Sequence, residues 1–261
     1  MMKEEGLFFR RFLQTLWWGG LTLLAGSLAI MALAIPLPGG ILLGIGVGML
    51  GLNMILAGEI ATGPTPRSYT VRGPVVRGDV RVKAGLSNLV MGICPGDRIA
   101  NIQYGPFGEP AFEVRDGMAH LELKNSITRW NIATWQANIA GNVLWDVDVR
   151  SWLGDQELDL REARIERLEA RTFAGHLKLI CPIRGYVEIG MKSMLGKIDI
   201  QIPERVGARI RIKRGPMASL EIDTNRFLIQ EPDHYTTMDF DTAETQVELY
   251  IQTRVGDIIL K

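Results

Sequence analysis

The sequence predicts a mainly β protein of stacked strands, carried on an N-terminal pair of membrane helices. Three observations predict it. Between Arg11 and Glu59 there is a run of 47 residues without one charge. Beyond residue 75 apolar and polar residues alternate with period two, the pattern of a half-buried strand. Gly154, Gly175 and Gly196 stand 21 residues apart, each inside the same apolar/polar frame.

The uncharged run is too long for one span, which needs about 20 apolar residues, and suits two. Pro36, Pro38, Gly39 and Gly40 break it, because Pro lacks a helix donor and Gly supplies turn freedom. Residues 1–60 are therefore expected to form a transmembrane hairpin with helices at 12–35 and 41–58, and residues 12–58 are expected to contact the lipid bilayer. Trp17 and Trp18 fall near the first interface, where amphipathic rings are favoured. Gly44 and Gly48 give the second helix the spacing for close helix packing. Gly46, Gly48 and Gly51 satisfy a dinucleotide fingerprint, but that motif requires a soluble strand before it. Ala32-Leu33-Ala34 resembles a signal-peptidase site, yet the apolar run continues past it, so an uncleaved hairpin is expected.

Charge sets the expected orientation. Lys3, Arg10 and Arg11 precede the first helix; Arg67, Arg72, Arg77, Arg81 and Lys83 follow the second, and the turn between carries no charge. Both flanks favour the cytoplasmic side, which places the C-terminal domain in the cytoplasm of a multi-pass membrane protein. Over the whole chain 29 Lys and Arg balance 29 Asp and Glu, which excludes the basic footprint of a general nucleic-acid binder. The two cysteines, Cys94 and Cys181, are too few for a disulfide framework or a Cys-rich zinc site.

Residues 61–74, rich in Pro, Gly and Thr, read as a linker, and a β domain is expected over 75–261. Val80-Arg-Val82-Lys, Ala111-Phe-Glu-Val114 and Ala119-His-Leu121-Glu-Leu123 alternate as strands, with a hairpin turn at Arg115-Asp116-Gly117. Asp159 to Ala170 fits either a helix or a charged strand-loop-strand.

Within 145–261 the period is explicit. Gly154, Gly175 and Gly196 are each followed by an alternating strand; Ala218 continues the series in place of Gly, and Gly256 closes it after an irregular insertion. An alternating strand also precedes each small residue, as in Val147/Val149, Val187/Ile189, Ile210/Ile212 and Leu249/Ile251. Units of this size cannot bury an apolar face alone, so they stack and share a continuous core. The end units of the stack are expected to be Leu249–Lys261 and the strand near Val80.

These units, with Ile198-Asp-Ile-Gln-Ile-Pro203-Glu-Arg-Val-Gly207-Ala-Arg-Ile and the closing Val255-Gly256-Asp-Ile-Ile-Leu, resemble the toast-rack domains of bacterial envelope proteins, including the C-terminal region of LiaF-type membrane proteins. The resemblance covers about 180 of the 261 residues. It implies a solenoid-like β domain on a membrane anchor in the bacterial cell membrane, in the setting of envelope-stress signalling. LiaF-type proteins commonly carry more spans than the two expected here.

No catalytic, cofactor-binding or metal-ligating set emerges, and no cofactor is expected. His120, His176 and His234 are scattered, and no nucleophile elbow or phosphate loop is present. Asp233, Asp239, Asp241 and Glu244 make residues 231–244 an acidic insertion, read as a solvated loop that could alternatively hold a cation or contact a partner. Cys94 and Cys181 each precede a Pro and read as strand ends. Trp130, Trp135, Trp145 and Trp152 read as core filling where the halves of the β domain meet. The function expected is therefore non-enzymatic, exerted through protein–protein contacts or self-association. The alternative is a membrane-attached scaffold that self-assembles through the ends of the stack.

Overall fold

The computed structural model describes residues 67–104, 110–124 and 133–261. The expected hairpin of residues 1–60 and Trp130 lie outside these. Among the described residues no helix is long and apolar enough to cross a membrane, and strands dominate.

Sixteen strands follow in order: β1 (Arg67–Arg72), β2 (Arg77–Cys94), β3 (Arg98–Tyr104), β4 (Ala111–Arg115), β5 (Met118–Lys124), β6 (Ala133–Ala140), β7 (Leu144–Leu153), β8 (Gln156–Asp159), β9 (Arg164–Ala174), β10 (Leu177–Ile180), β11 (Tyr186–Leu195), β12 (Ile198–Gln201), β13 (Val206–Ile222), β14 (Phe227–Glu231), β15 (His234–Thr237) and β16 (Thr245–Leu260). They build two walls around one core. The first wall runs β4-β5-β2-β7-β9-β11-β16-β13-β15-β14, and the second β1-β3-β6-β2-β8-β10-β12-β16-β13. The long strands β2, β13 and β16 bend from the first wall into the second, whereas β7/β8, β9/β10 and β11/β12 make the same passage as strand pairs. Because β2 also pairs with β8, the parallel path β2-β7-β9-β11-β16-β12-β10-β8 closes on itself into a ring of eight strands.

Alternation accounts for the core. Inward residues of the first wall (Val147, Val149, Leu168, Ala170, Val187, Ile189) meet those of the second (Leu158, Leu177, Leu179, Ile198, Ile200), all buried. Period-two patterning puts one side of each strand inside and leaves charges on the other. The 21-residue period is the register itself: Val147 pairs Leu168, which pairs Ile189. Asp159 to Ala170 is strand-loop-strand, because Ala163, Ile165, Leu168 and Ala170 are needed inside the wall. The turn between β4 and β5 is as expected, with Asp116 and Gly117 at φ 52° and 74°, the signs a two-residue type I′ hairpin requires.

At the corner where the first wall passes into the second, Gly154, Gly175, Gly196 and Gly256 stack as a ladder with φ of 122–143°. A Cβ on Gly175, Gly196 or Gly256 would lie 2.1 Å from the carbonyl oxygen of the glycine one rung earlier. The glycine N–H groups close the ladder in the other direction: Gly154 donates to Ala174 O, Gly175 to Leu195 O and Gly196 to Val255 O, each at 3.0 Å. Glycine is thus required by the close approach of successive rungs and by the backbone sign.

Three expectations are corrected. β1 lies within the stretch read as linker: Arg67–Arg72 pairs antiparallel with β3, its Tyr69 and Val71 packing on the core. The fourth and fifth repeat units exchange places, because β16 inserts between β11/β12 and β13, so Gly256 stacks on Gly196 and Ala218 registers with Gly256. Neither Leu249–Lys261 nor the strand near Val80 ends the stack, since β16 and β2 are both flanked on each side. The physical reason lies in β13, which carries Gly215-Pro216 at its centre and breaks register between Arg214 and Met217. A Pro cannot donate to the ladder and belongs on an edge strand. β16 has no such break, and its Val247, Leu249, Ile251, Ile258 and Leu260 are all buried.

Candidate functional site

The two ends of the stack are finished differently. At the N-terminal end both walls finish with antiparallel strands, β4 on β5 in the first and β3 and β1 beyond β6 in the second. At the C-terminal end only the first wall is covered, by β15 and β14. In the second wall the last rung is Met217–Ile222 of β13, which pairs with Val255–Leu260 of β16 and with no further described strand. Its outer edge presents unpaired backbone groups, the feature that lets one chain add a strand to another.

Side chains at this end suit a contact surface. Met217 is 73% exposed and Ile229, on the neighbouring cap, 66%. Leu220 and Ile222 pack on the core from one side. The end is held firmly. The Arg226 guanidinium donates to the carbonyls of Ile202 and Pro203, the latter at 2.6 Å, and so ties the turn after β13 to the turn before it. Arg214 Nε donates to Asp233 at 2.8 Å across the cap.

The acidic insertion builds this cap and gathers no ligands. Asp233 adopts φ 62° in the β14–β15 turn and pairs with Arg214, while the Asp239 carbonyl accepts the N–H groups of Thr242 and Ala243. Among the described residues no group of three or more His, Cys, Asp or Glu side chains could hold a metal ion. The histidines stay apart: His120 pairs with Asp79, His234 lies 3.3 Å from Glu231, and the backbone N–H of His176 donates to Asp155 at 2.8 Å.

The outer face of the first wall carries a shallow cleft of about 370 Å³ around Gly190, over which the Glu169 carboxylate folds. Its rim is charged but internally matched. Arg209 reaches Glu248 at 3.3 Å, and Glu169 takes Arg171 at 3.1 Å and Arg167 at 3.4 Å. No histidine or cysteine lines it. Elsewhere on the wall burial, with a smaller push from Glu166, raises the Asp146 carboxyl above the ordinary Asp range. A hydrogen bond from Arg161 holds Asp159 below it.

Both cysteines are free and buried, as strand-end residues should be. Burial pushes the Cys181 thiol up to about 12 and raises Cys94 as well, so neither is a ready thiolate. The tryptophans divide. Trp135 and Trp145 are fully buried in the core, and Trp145 Nε1 donates to Ala140 O at 2.8 Å. Trp152 instead stands at the glycine corner, 51% exposed and stacked on Phe173 with ring centroids 4.4 Å apart. The open rung was missed in the sequence reading, although Pro216 in the middle of a strand was the signal that could have found it.

No protein-family model matches the chain, and no curated protein matches it. Among solved structures it is similar to a "putative cell adhesion protein" from Clostridium sporogenes. That likeness has a TM-score of 0.63 at 16% identity and covers 76% of this chain and 99% of the other. A "putative adhesin" from Bacteroides fragilis (10% identity; 76% and 99% covered) and a "putative lipid binding protein" from Parabacteroides distasonis (6% identity; 77% and 98% covered) follow at TM-scores of 0.28 and 0.22, too low to carry an argument. What this chain shares with the Clostridium sporogenes protein is its fold.

Proposed function

We propose that this chain is a non-enzymatic, membrane-anchored protein of the toast-rack type, similar to LiaF-type proteins of the bacterial envelope, whose β domain works by docking a protein partner in envelope-stress sensing or signalling. The repeat of 21 residues, realised as register between stacked strands, supports the toast-rack reading. The uncharged run 12–58 supports the two-helix anchor, and the flanking Lys and Arg support a cytoplasmic β domain. The observation that carries the docking role is the parallel rung Met217–Ile222, left uncovered in the second wall at the end where β15 and β14 cover the first.

The alternative, a scaffold built by end-to-end assembly, would have to pair the parallel rung of one copy with an antiparallel edge strand, β1 or β4, of the next. Antiparallel strands finish both walls at the N-terminal end, which favours a single docked partner. A photo-crosslinking residue at Ser219 of the full chain in native membranes separates the readings, with Arg205 as the control position. A single discrete crosslinked protein at 219 and none at 205 is expected. A ladder of crosslinked copies of this chain supports the scaffold, and no crosslink at 219 refutes edge docking. Reporter fusions after Lys261 and in the 36–40 turn test the orientation; a C-terminal reporter on the outside overturns the cytoplasmic assignment.

A further inference from the structure

The glycine corner carries a second surface that the open rung does not use. On the first wall, an outward-facing row near the corner is in register across seven strands: Lys124 with Lys83, then Arg150, Arg171, Lys192, Gln252 and Lys213. Six of the seven are cations. Farther from the corner the charges are mixed: one row holds His120, Asp79, Asp146, Arg167, Glu188, Glu248 and Arg209 in register. Three of the basic side chains are partly matched by a carboxylate from the intervening row, Lys124 by Glu122, Arg150 by Asp148 and Arg171 by Glu169. Lys192 lies over the Tyr250 ring, 5.4 Å from its centroid.

Beside this basic row the residues nearest the corner are mostly apolar, with Arg254 exposed among them. Trp152 and Phe173 stack, and Leu195 and Met217, in one register row with Leu153, Ala174 and Val255, are 42% and 73% exposed. Beyond the glycines the charges are mixed, at Asp155, His176, Lys197 and Asp257. The ridge is thus an apolar crest with an exposed Trp, flanked on one side by Lys and Arg. Rings and aliphatic chains that prefer the interface, next to cations that prefer anionic headgroups, match a membrane surface.

The place where the chain enters the domain points the same way. Arg67 registers with Tyr104, Tyr104 with Trp135, Trp135 with Leu89 and Leu89 with Gln156. The first described residue therefore lies two positions past the Gly154 turn, on the glycine-corner margin of the second wall.

From these observations we infer that the glycine corner is a lipid-facing edge, on which Trp152 and Leu195 meet the bilayer surface and the row from Lys83 to Lys213 meets anionic headgroups. For its tether this rests on the anchor reading above. The edge would hold the domain against the membrane by its long side, leaving the open rung at one end free.

The test uses the full chain, with Leu195→Cys carrying an environment-sensitive fluorophore, in vesicles of phosphatidylcholine with or without phosphatidylglycerol. Cys94 and Cys181 are buried and stay unlabelled, and Arg205→Cys at the opposite corner is the control. With phosphatidylglycerol present, the 195 label is expected to be severalfold less accessible to a water-soluble quencher than the 205 label, and to be quenched by brominated acyl chains. Lys83→Glu with Lys192→Glu is expected to abolish that protection while the circular dichroism stays unchanged, and salt near 1 M, where screening acts within about 3 Å, to weaken it. Equal accessibility at 195 and 205 in anionic vesicles overturns the inference and leaves the anchor standing. Protection that persists in lipid-free detergent and grows with protein concentration overturns it in favour of a contact between copies. A chain that floats with neither kind of vesicle overturns both the inference and the anchor reading.

Discussion

Gly175→Ala tests the stacking of the rungs directly. The added Cβ would stand 2.1 Å from Gly154 O, inside the 3.0 Å that real Cβ atoms respect, so the rungs must part by about the difference. Parting them stretches the bond from Gly154 N to Ala174 O, 3.0 Å long, towards the limit of useful geometry. Overpacking of this kind costs about 1–3 kcal/mol. Holding a side chain at the φ of 143° found here costs a similar amount, about 1–3 kcal/mol. The sum, roughly 2–6 kcal/mol, is a large share of the stability of an ordinary domain, about 5–15 kcal/mol. Gly117→Ala is the control: its φ is also positive, at 74°, but nothing lies within 4 Å of the new Cβ. Only the left-handed backbone cost of about 1–2 kcal/mol remains there. The assay is urea denaturation of the full chain in detergent micelles, followed by far-UV circular dichroism. With a urea slope of about 2 kcal/mol per molar, Gly175→Ala should lower the midpoint by about 1–3 M. A shift no larger than that of Gly117→Ala would refute the claim that rung contact, and not backbone sign alone, requires glycine.

Two further predictions concern the core and its titration. Trp145→Phe should destabilise by about 2–4 kcal/mol, since it empties part of a fully buried site and leaves the Ala140 carbonyl without its donor; an unchanged denaturation midpoint would contradict the packing of this ring, which fills the space beside Gly78 where a Cβ would stand. For Cys181, the folded thiol is held up to about 12 whereas the unfolded thiol titrates near its ordinary value of about 8.5. Its folded pKa is raised, so its contribution to stability is complete below about pH 8.5 and is lost as pH rises towards the folded value. The midpoint should fall between pH 8 and pH 10 (roughly the window opened by that shift) more steeply for the native chain than for Cys181→Ala. Parallel slopes would show that Cys181 is not responsible. The same burial predicts that maleimide modifies Cys181 only on unfolding.

Much of the fold is legible in the residues. The alternation at Val80/Val82, Val147/Val149 and Ile210/Ile212 assigns each wall its inward side, because a period of two leaves no other way to bury the apolar set. The spacing of Gly154, Gly175 and Gly196 states the register, because each rung must repeat the turn of the one below. Asp116-Gly117 states a hairpin by its backbone demands alone. What the linear pattern could not decide is order in space. Parallel rungs are interchangeable neighbours as far as a single strand is concerned, so the chain can return and insert β16 between β11/β12 and β13 without altering any local signal.

Order in space is also what creates the surfaces. Pro216 and the register break beside it are local facts, but that they leave Met217–Ile222 uncovered depends on β14 and β15 covering only the first wall. The cations from Lys83 to Lys213 lie as much as 130 positions apart in the chain and become one row only through register. Sequence by itself determined the strands, their faces and the repeat, since those follow from side-chain periodicity and backbone sterics. Tertiary structure decided which rung is last and which charges are neighbours, since those depend on hydrogen bonds between strands remote in the chain.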